Sequence, residues 1–565
     1  MANWETITVA DTITKIADNN FVLPVIQRRL VWDEEKMEML FDTLLKGNSF
    51  GGIMVIEEEK DTKPLFAFRP FTKDGSAISS ISIEHLPQNH YFIIDGQQRL
   101  QTFYMGIMGS INNKILYFDL FSDYPNLEFD FEFENDESKL PKESSDRSEA
   151  SVKEHRWYQA NSLFKQLKDT NDEDQVADKI IAAKEIAEEN KKTLVRRNVR
   201  AFYKNVFTAK NVGLAKILVN KTLEEVSNRQ RIVELFRRLN DGGTKLSSFD
   251  LVASILKGFE WKMEAFLDET LKDYQDLGMT QDTLIKLIFL LRDNHRKEMA
   301  NIEADDANFA VANKERITTM LKALEKFLIA SGLDNYYREE NRSFIPLYFV
   351  AYHIFHKDIE TKAIENYFAT HDVNNIDYKN IYGWIYLSLL NGVFSKGKGW
   401  IPYKTGIRKI LETIRHFKGK EFPNDKLSQV YQKHPVQFYV TFDESNINSL
   451  DLSFLFYILY DRERIIRQQD IDHIHPKSLL EGKYEYQMIN RIENYQLLDS
   501  GTNRGLKNAK PLKDWILKDV ENKEIYLKKH LIPQSEQLWE TDNYITFLGE
   551  RRKLIIEKIN SILHK

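Results

Sequence analysis

"HYFIIDGQQRLQTFYMGIMGS", residues 90–110, changes its period part-way along. Tyr91 to Ile94 make an apolar run of strand length that ends at Asp95. After Gly96, the residues Leu100, Phe103, Tyr104 and Ile107 fall on one face of a helix. A strand passing through glycine into an amphipathic helix is the unit from which α/β layers are built. Such a turn aims unbonded backbone N–H groups at whatever lies above the helix start, and the helix dipole favours an anion there. Gln97, Gln98 and Arg99 ring that point with donors, and the Arg99 fork suits a phosphate. Asp95 can hold a cation or orient a water. These residues leave two readings open: a phosphate-binding turn, or a structural turn closed by an Arg99–Asp95 pair.

Upstream, "FVLPVIQRRLVW" (21–32) is extended and Asp33 is a good N-cap for "EEKMEMLFDTLLKG" (34–47). Met37, Leu40, Phe41 and Leu44 form the apolar face of that helix, and Gly47 stops it. "GGIMVIEE", "NKILYFDLF" and "LEFDFEFEN" read as strands, the last with one wet face. Residues 135–151 are charged, Ser-rich and poor in apolar side chains, which predicts an exposed, mobile loop. From about 172 to 420 the pattern is mostly helical. In "RQRIVELFRRLNDGG" (229–243), Ile232, Leu235, Phe236 and Leu239 share a face. The fold class expected is therefore α+β and multidomain, divided at 1–260, 261–440 and 441–565.

Bulk properties narrow the classes. A chain of 565 residues is too long for one ordinary core. No apolar stretch approaches the roughly 20 residues of a membrane span, and no signal core opens the chain. A soluble, cytoplasmic protein without a membrane partner is expected. Zero cysteines exclude disulfides, thiol nucleophiles and thiolate-ligated zinc. The net charge of -6 conceals an excess of 13 Lys/Arg over 9 Asp/Glu in residues 501–565. A local basic patch is all that a phosphate backbone requires.

The tail carries the second chemical signal. "QQDIDHIHPKSLL" (468–480) places Asp470, Asp472, His473 and His475 within six positions. Phosphodiester hydrolysis needs a base near neutrality and a cation beside the leaving oxygen. Asp472 and His473, adjacent on a strand, leave on opposite faces and so do not compete for one spot. A hard Mg²⁺ takes oxygen ligands of the kind Asp and Asn provide. Some 30 residues on, "NYQLLDSGTNRGLKNAKPLKDW" brings Asn503, with Lys507 and Lys510 at helical spacing. His475 shares a face with His473, either as an H-x-H metal partner or as a supporting or surface histidine.

"DIDHIHPKS", "ENYQLL" and "TNRGLK" together resemble the two strands and helix of the ββα-metal motif of HNH nucleases. The resemblance implies His473 as general base and Asp472 and Asn503 as ligands of Mg²⁺ or Mn²⁺. It implies Arg504, Lys507 and Lys510 as DNA contacts, and Asn494 as the asparagine that holds the turn. Two departures from the wider family are the missing Cys-ligated zinc and Asn, rather than His, at the helix position.

At the other end, "DGQQRL", with "IQRRLVW" before it and "LFRRLNDGGTKLSSFDL" after it, is similar to the N-terminal domain of GmrSD-type, modification-dependent (type IV) restriction enzymes. That resemblance implies a ParB/sulfiredoxin-like nucleotide-binding fold ahead of an HNH module. It implies binding and hydrolysis of an NTP, with GTP as one candidate, at Gln27, Arg28, Asp95, Gly96, Gln97, Gln98 and Arg99. It implies Asp95 and Arg99 as the catalytic residues of that hydrolysis. Trp32, Asn240, Gly242 and Gly243 match flanking elements, and Gln101 stands where Thr is common.

The combined expectation is a nucleotide-regulated, Mg-dependent DNA endonuclease of bacterial phage defence. Its partner would be foreign, modified double-stranded DNA, and homo-oligomerisation is left open. A nucleotide-switched regulatory protein with an idle HNH remnant and an RNA-directed toxin are the alternatives. "GVFSKGKG" (392–399) lacks the Ser/Thr and the preceding strand of a P-loop. Trp384, Trp400 and Tyr403 in the helical middle either pack in the core or stack on a base.

Overall fold

The computed structural model describes residues 3–563 except 28–31, 49, 59–63, 75–80, 83–85, 87–89, 123–127, 146–151, 220–224, 243–247, 294–301, 303, 339–341, 369–374, 396–406 and 463–468. Contacts divide the chain into two compact units, one of residues 1–264 and 297–308, the other of residues 265–296 and 309–565. The helical middle and the C-terminal segment fall within the same unit.

The first unit is built on a mixed six-stranded sheet. Its strands are β1 (Asn3–Ile7), β2 (Phe21–Pro24), β3 (Ile53–Glu57), β4 (Phe68–Arg69), β5 (Tyr91–Asp95) and β11 (Val212–Leu218), in the spatial order β1-β11-β3-β5-β2-β4. The β11–β3 and β2–β5 pairs are parallel and the others antiparallel. A second sheet, in the order β10-β6-β7, joins β6 (Ile115–Asp119), β7 (Phe131–Glu134) and β10 (Trp157–Gln159). Between β7 and β10, β8 (Glu143–Ser145) and β9 (Val152–Glu154) pair as a short ribbon. Regular structure thus enters the segment read from sequence as a loop.

Helices α1 (Val9–Ala17), α2 (Glu34–Leu45) and α3 (Gln97–Met108) belong to this unit, as do α4 (Ala160–Thr170), α5 (Glu173–Ala183), α6 (Glu189–Tyr203) and α7 (Glu225–Gly242). Asp33 caps α2 by accepting from the Lys36 amide at 3.0 Å, and Gly47 beyond its end has φ of 71°. Met37, Leu40, Phe41 and Leu44 are buried as their spacing predicts. Phe41 meets Phe103 of α3 edge-to-face at 5.7 Å and Phe131 of β7 at 5.4 Å. Each such ring contributes roughly 1.5–3 kcal/mol by leaving water. Leu100, Phe103, Tyr104 and Ile107 anchor α3, which fixes the turn at Asp95 and Gly96 against the sheet.

Among its described residues the second unit is helical apart from one hairpin, β12 (Gln469–His473) with β13 (Tyr495–Asp499). Trp384 is core here: it is 1% exposed and its indole N–H donates to Tyr431 Oη at 3.0 Å. Trp400, Tyr403 and Lys398 lie outside the described residues.

Candidate functional site

The hairpin is antiparallel, with Asp472 opposite Gln496 and His473 opposite Tyr495. Alternation along β12 sends Asp470 and Asp472 to one face and His473 to the other. The chain then turns at Asp499, whose carboxylate accepts from the Thr502 amide at 2.8 Å, and enters a π-helical turn, Thr502–Lys507. Its wide loop closes through the Asn508 amide onto the Asn503 carbonyl at 2.9 Å. π-Turns recur at functional sites because the extra residue re-aims the side chains.

That turn covers the carboxylate face. Asn503 Nδ2 donates to Asp470 Oδ2 at 3.4 Å, and Arg504 Nε donates to the same oxygen at 3.0 Å. The Arg504 guanidinium holds the Asp470 carboxyl below the usual carboxylate range. Lys507 reaches past them to Asp472: its Nζ lies 2.7 Å from Oδ2 and donates to the His473 carbonyl at 2.6 Å. Gln496 Nε2 donates to the same Asp472 oxygen at 2.8 Å, and Tyr526 Oη donates to Gln496 Oε1 at 2.9 Å. Asp472 and Lys507 are both buried. Burial pulls the lysine below its ordinary pKa, and Asp472 opposes that shift.

On the other face, His473 Nε2 lies 2.9 Å from Asn490 Oδ1. The Asn490 amide cannot be reversed without loss, because its Nδ2 donates to the Tyr486 carbonyl at 2.9 Å. Its oxygen therefore faces the imidazole, Nε2 carries the proton, and the Nδ1 lone pair can accept one. Tyr495 stands edge-on to the ring at 5.1 Å and limits its rotation.

The scaffold beneath is polar and buried. Asn494, fully buried, accepts from the His475 amide at 2.9 Å and donates to the His475 and Ile489 carbonyls at 3.1 Å each. Arg551, 1% exposed, donates to the carbonyls of Ile492, Glu493, Tyr495 and His530. Phe547 and Tyr544 pack edge-on to the buried His475 ring. Burial holds that imidazole neutral, with its pKa pushed down to about 3.

In the first unit, Gly96 caps α3 with φ of 88°, a conformation that favours glycine. Arg99 is mostly buried. Its Nη1 donates to the Phe50 carbonyl at 2.7 Å, and its Nη2 lies 3.6 Å from Asp95 Oδ2. The backbone of Gly51, at φ of 87°, passes so close that a Cβ there would lie 2.3 Å from Arg99 Nη1. Gln27 Nε2 donates to the carbonyls of Ile93 and Ile94 at 3.0 and 2.5 Å, tying the segment after β2 to the end of β5. Asp95 is more than half exposed and Gln97 is buried. Trp32 packs against the core. Arg28 and Gly243 lie outside the described residues.

The two ends of the chain match two domains of one family. The GmrSD restriction endonuclease N-terminal domain matches residues 9–257, and the C-terminal domain of the GmrSD restriction endonucleases matches residues 401–557. The chain belongs to the GmrSD family. No curated protein matches it. Membership makes it a type IV-like restriction endonuclease, a hydrolase of phage defence whose partner is DNA. Among the described residues, no helix is long and apolar enough to cross a membrane.

Within the GmrSD C-terminal match, the residues assigned from sequence are spread over two carboxylates and the surface. Lys507, expected as a phosphate contact, is instead buried on Asp472, because the π-turn rotates it inward. Asn503, expected beside Asp472, has its amide on Asp470. Arg504 and Lys510 stand at the surface, paired with Asp470 and Asp519. Sequence reasoning missed Asp470, Asn490 and Gln496 as partners. Gln496 left a signal, being a polar residue between apolar neighbours in a strand that pairs with the Asp472 strand.

Proposed function

We propose that this GmrSD protein is a nucleotide-regulated, metal-dependent endonuclease that cuts or nicks modified foreign double-stranded DNA. The hairpin and π-turn serve as an HNH (ββα-metal) site. The observation that carries the reading is the division of β12 into two faces, with oxygen donors on one and a tautomer-fixed imidazole on the other.

The donor set fits a hard divalent ion. Asp470 and Asp472 bring carboxylate oxygens, and the Asn503 amide, whose Nδ2 here donates to Asp470, carries a carbonyl oxygen beside them, the chemistry of Mg²⁺ or Mn²⁺ sites. When bound, the ion would supply positive charge where the leaving oxygen becomes an alkoxide. His473 Nδ1 takes a proton from a water. The water oxygen bonds to phosphorus, the bond from phosphorus to the deoxyribose oxygen breaks, and solvent protonates that oxygen. Asn490 holds the ring, while Arg504 and Lys510 lie where a DNA backbone can replace their carboxylate partners.

The first unit we read as the ParB/sulfiredoxin-like switch. Gly96 and the start of α3 offer N–H groups to an NTP phosphate, and GTP is one candidate. Gln27 and Phe50 fix the walls, and Asp95 is the exposed acid. The Arg99–Asp95 separation fits the closed structural turn as well, so Arg99 would have to leave Asp95 to meet a phosphate.

One observation favours a second reading, an idle hairpin in a DNA-binding regulator: the Lys507 ammonium already sits on Asp472. Supercoiled plasmid DNA, modified and unmodified, incubated with Mg²⁺ with and without GTP, separates the two. The endonuclease reading expects nicking that His473→Ala lowers by about 10²–10⁴-fold. Nicking unaffected by that substitution, or none on any DNA, would overturn it.

A further inference from the structure

We propose that the first unit holds a structural divalent-metal site of its own, formed by Asp119, Asp130 and His155. One ligand atom from each lies within 4.8 Å of the other two. They share no residue with the turn at Asp95 or the hairpin at Asp472. Asp119 ends β6, Asp130 precedes β7, and His155 precedes β10, so three segments of the second sheet converge on one point.

The site is built rather than incidental. Asp119 is fully buried, and its Oδ1 is fixed by the amides of Phe121 at 3.0 Å and Arg156 at 2.7 Å. Those bonds turn Oδ2 toward His155 Nδ1, 2.9 Å away. The imidazole is itself held by stacking on Trp157, with centroids 5.4 Å apart and planes 14° from parallel. A carboxylate anchored by backbone N–H groups and a ring clamped by an aromatic is how proteins orient metal ligands. Asp130 is partly exposed, which gives an ion a way in.

Around an ion with bonds of about 2.0–2.2 Å, ligand atoms stand some 3–4 Å apart, so only a small closure is needed. One nitrogen and two oxygens form a borderline set that suits Zn²⁺ or Mn²⁺ better than Mg²⁺. The ion would tie β6, β7 and β10 together at one end.

The test uses the full chain, stripped with a chelator, dialysed and titrated with Zn²⁺ by calorimetry, with Mn²⁺ as a second probe. Wild type, Asp130→Asn and Asp470→Asn are compared, each checked for native circular dichroism. Asp130 is chosen because it is partly exposed and the substitution is isosteric. The expected result is a tight Zn²⁺ equivalent that wild type and Asp470→Asn share, weakened at least about 100-fold in Asp130→Asn. Equal binding by Asp130→Asn, loss in Asp470→Asn instead, or no uptake by wild type would overturn the site.

Discussion

Lys507 Nζ stands 2.7 Å from Asp472 Oδ2, and both side chains are out of solvent. Removing one member of such a pair leaves a buried charge without its partner, at a cost of about 3–5 kcal/mol. Lys507→Met should lose stability on that scale in urea denaturation. Because Asp472 would then seek another cation, Mg²⁺ should raise the melting temperature of the variant more than that of wild type. Equal Mg²⁺ shifts would mean that Asp472 takes no part in metal binding.

Asn490 presents only an acceptor to His473. Under the proposed nuclease role, Asn490→Ala should slow plasmid nicking about 10–100-fold with DNA affinity unchanged, because His473 loses its fixed tautomer. Asn490→Asp preserves an acceptor and should keep most of the activity. Its carboxylate favours the imidazolium, so the acidic limb of the pH–rate profile should move to higher pH. An unmoved limb would separate Asn490 from the base.

His475 and His530 are buried, and desolvation pushes each pKa down to about 3 from an ordinary 6.5. Above pH 6.5 neither folded nor unfolded chain binds these protons, and the stability they allow is complete. Between 6.5 and about 3 the unfolded chain binds protons that the folded chain refuses. Stability therefore falls with pH by up to about 1.4 kcal/mol per pH unit for each histidine. Urea denaturation at pH 7.5, 6.5 and 5.5 should show the loss only below 6.5, and His475→Leu should flatten the slope.

Gly51→Ala should destabilise the first unit by about 1–3 kcal/mol in thermal denaturation. A Cβ there combines an unfavourable φ of 87° with a 2.3 Å approach to Arg99 Nη1. Under the proposed nucleotide role it should also lower GTP turnover. Turnover that survives a displaced Arg99 would take the guanidinium out of the reaction.

Asn494→Ala removes three buried hydrogen bonds from the turn of the hairpin. A loss of at least about 2–3 kcal/mol follows if only one or two groups stay unpaired. Hydrogen exchange should rise first at the His475 and Ile474 amides.

The β5–α3 turn was legible because its hydrophobic period switches from two to 3.6 within one short stretch, and both faces are buried as expected. The hairpin was legible from the order of its polar residues. The fate of Lys507 was not. A lysine at helical spacing reads as a surface cation, and only a π-turn, which leaves no mark in periodicity, carries it inward. Arg551 was equally hidden: within a basic helical tail nothing distinguishes the one arginine that the fold buries.

Arg551 has a further consequence. Its hydrogen bonds tie the carbonyls of Ile492, Glu493 and Tyr495, at the start of β13, to that of His530, a brace made by protein groups alone. Under the proposed metal-dependent reading, chelation should therefore stop nicking while the amides of this hairpin keep their protection from hydrogen exchange.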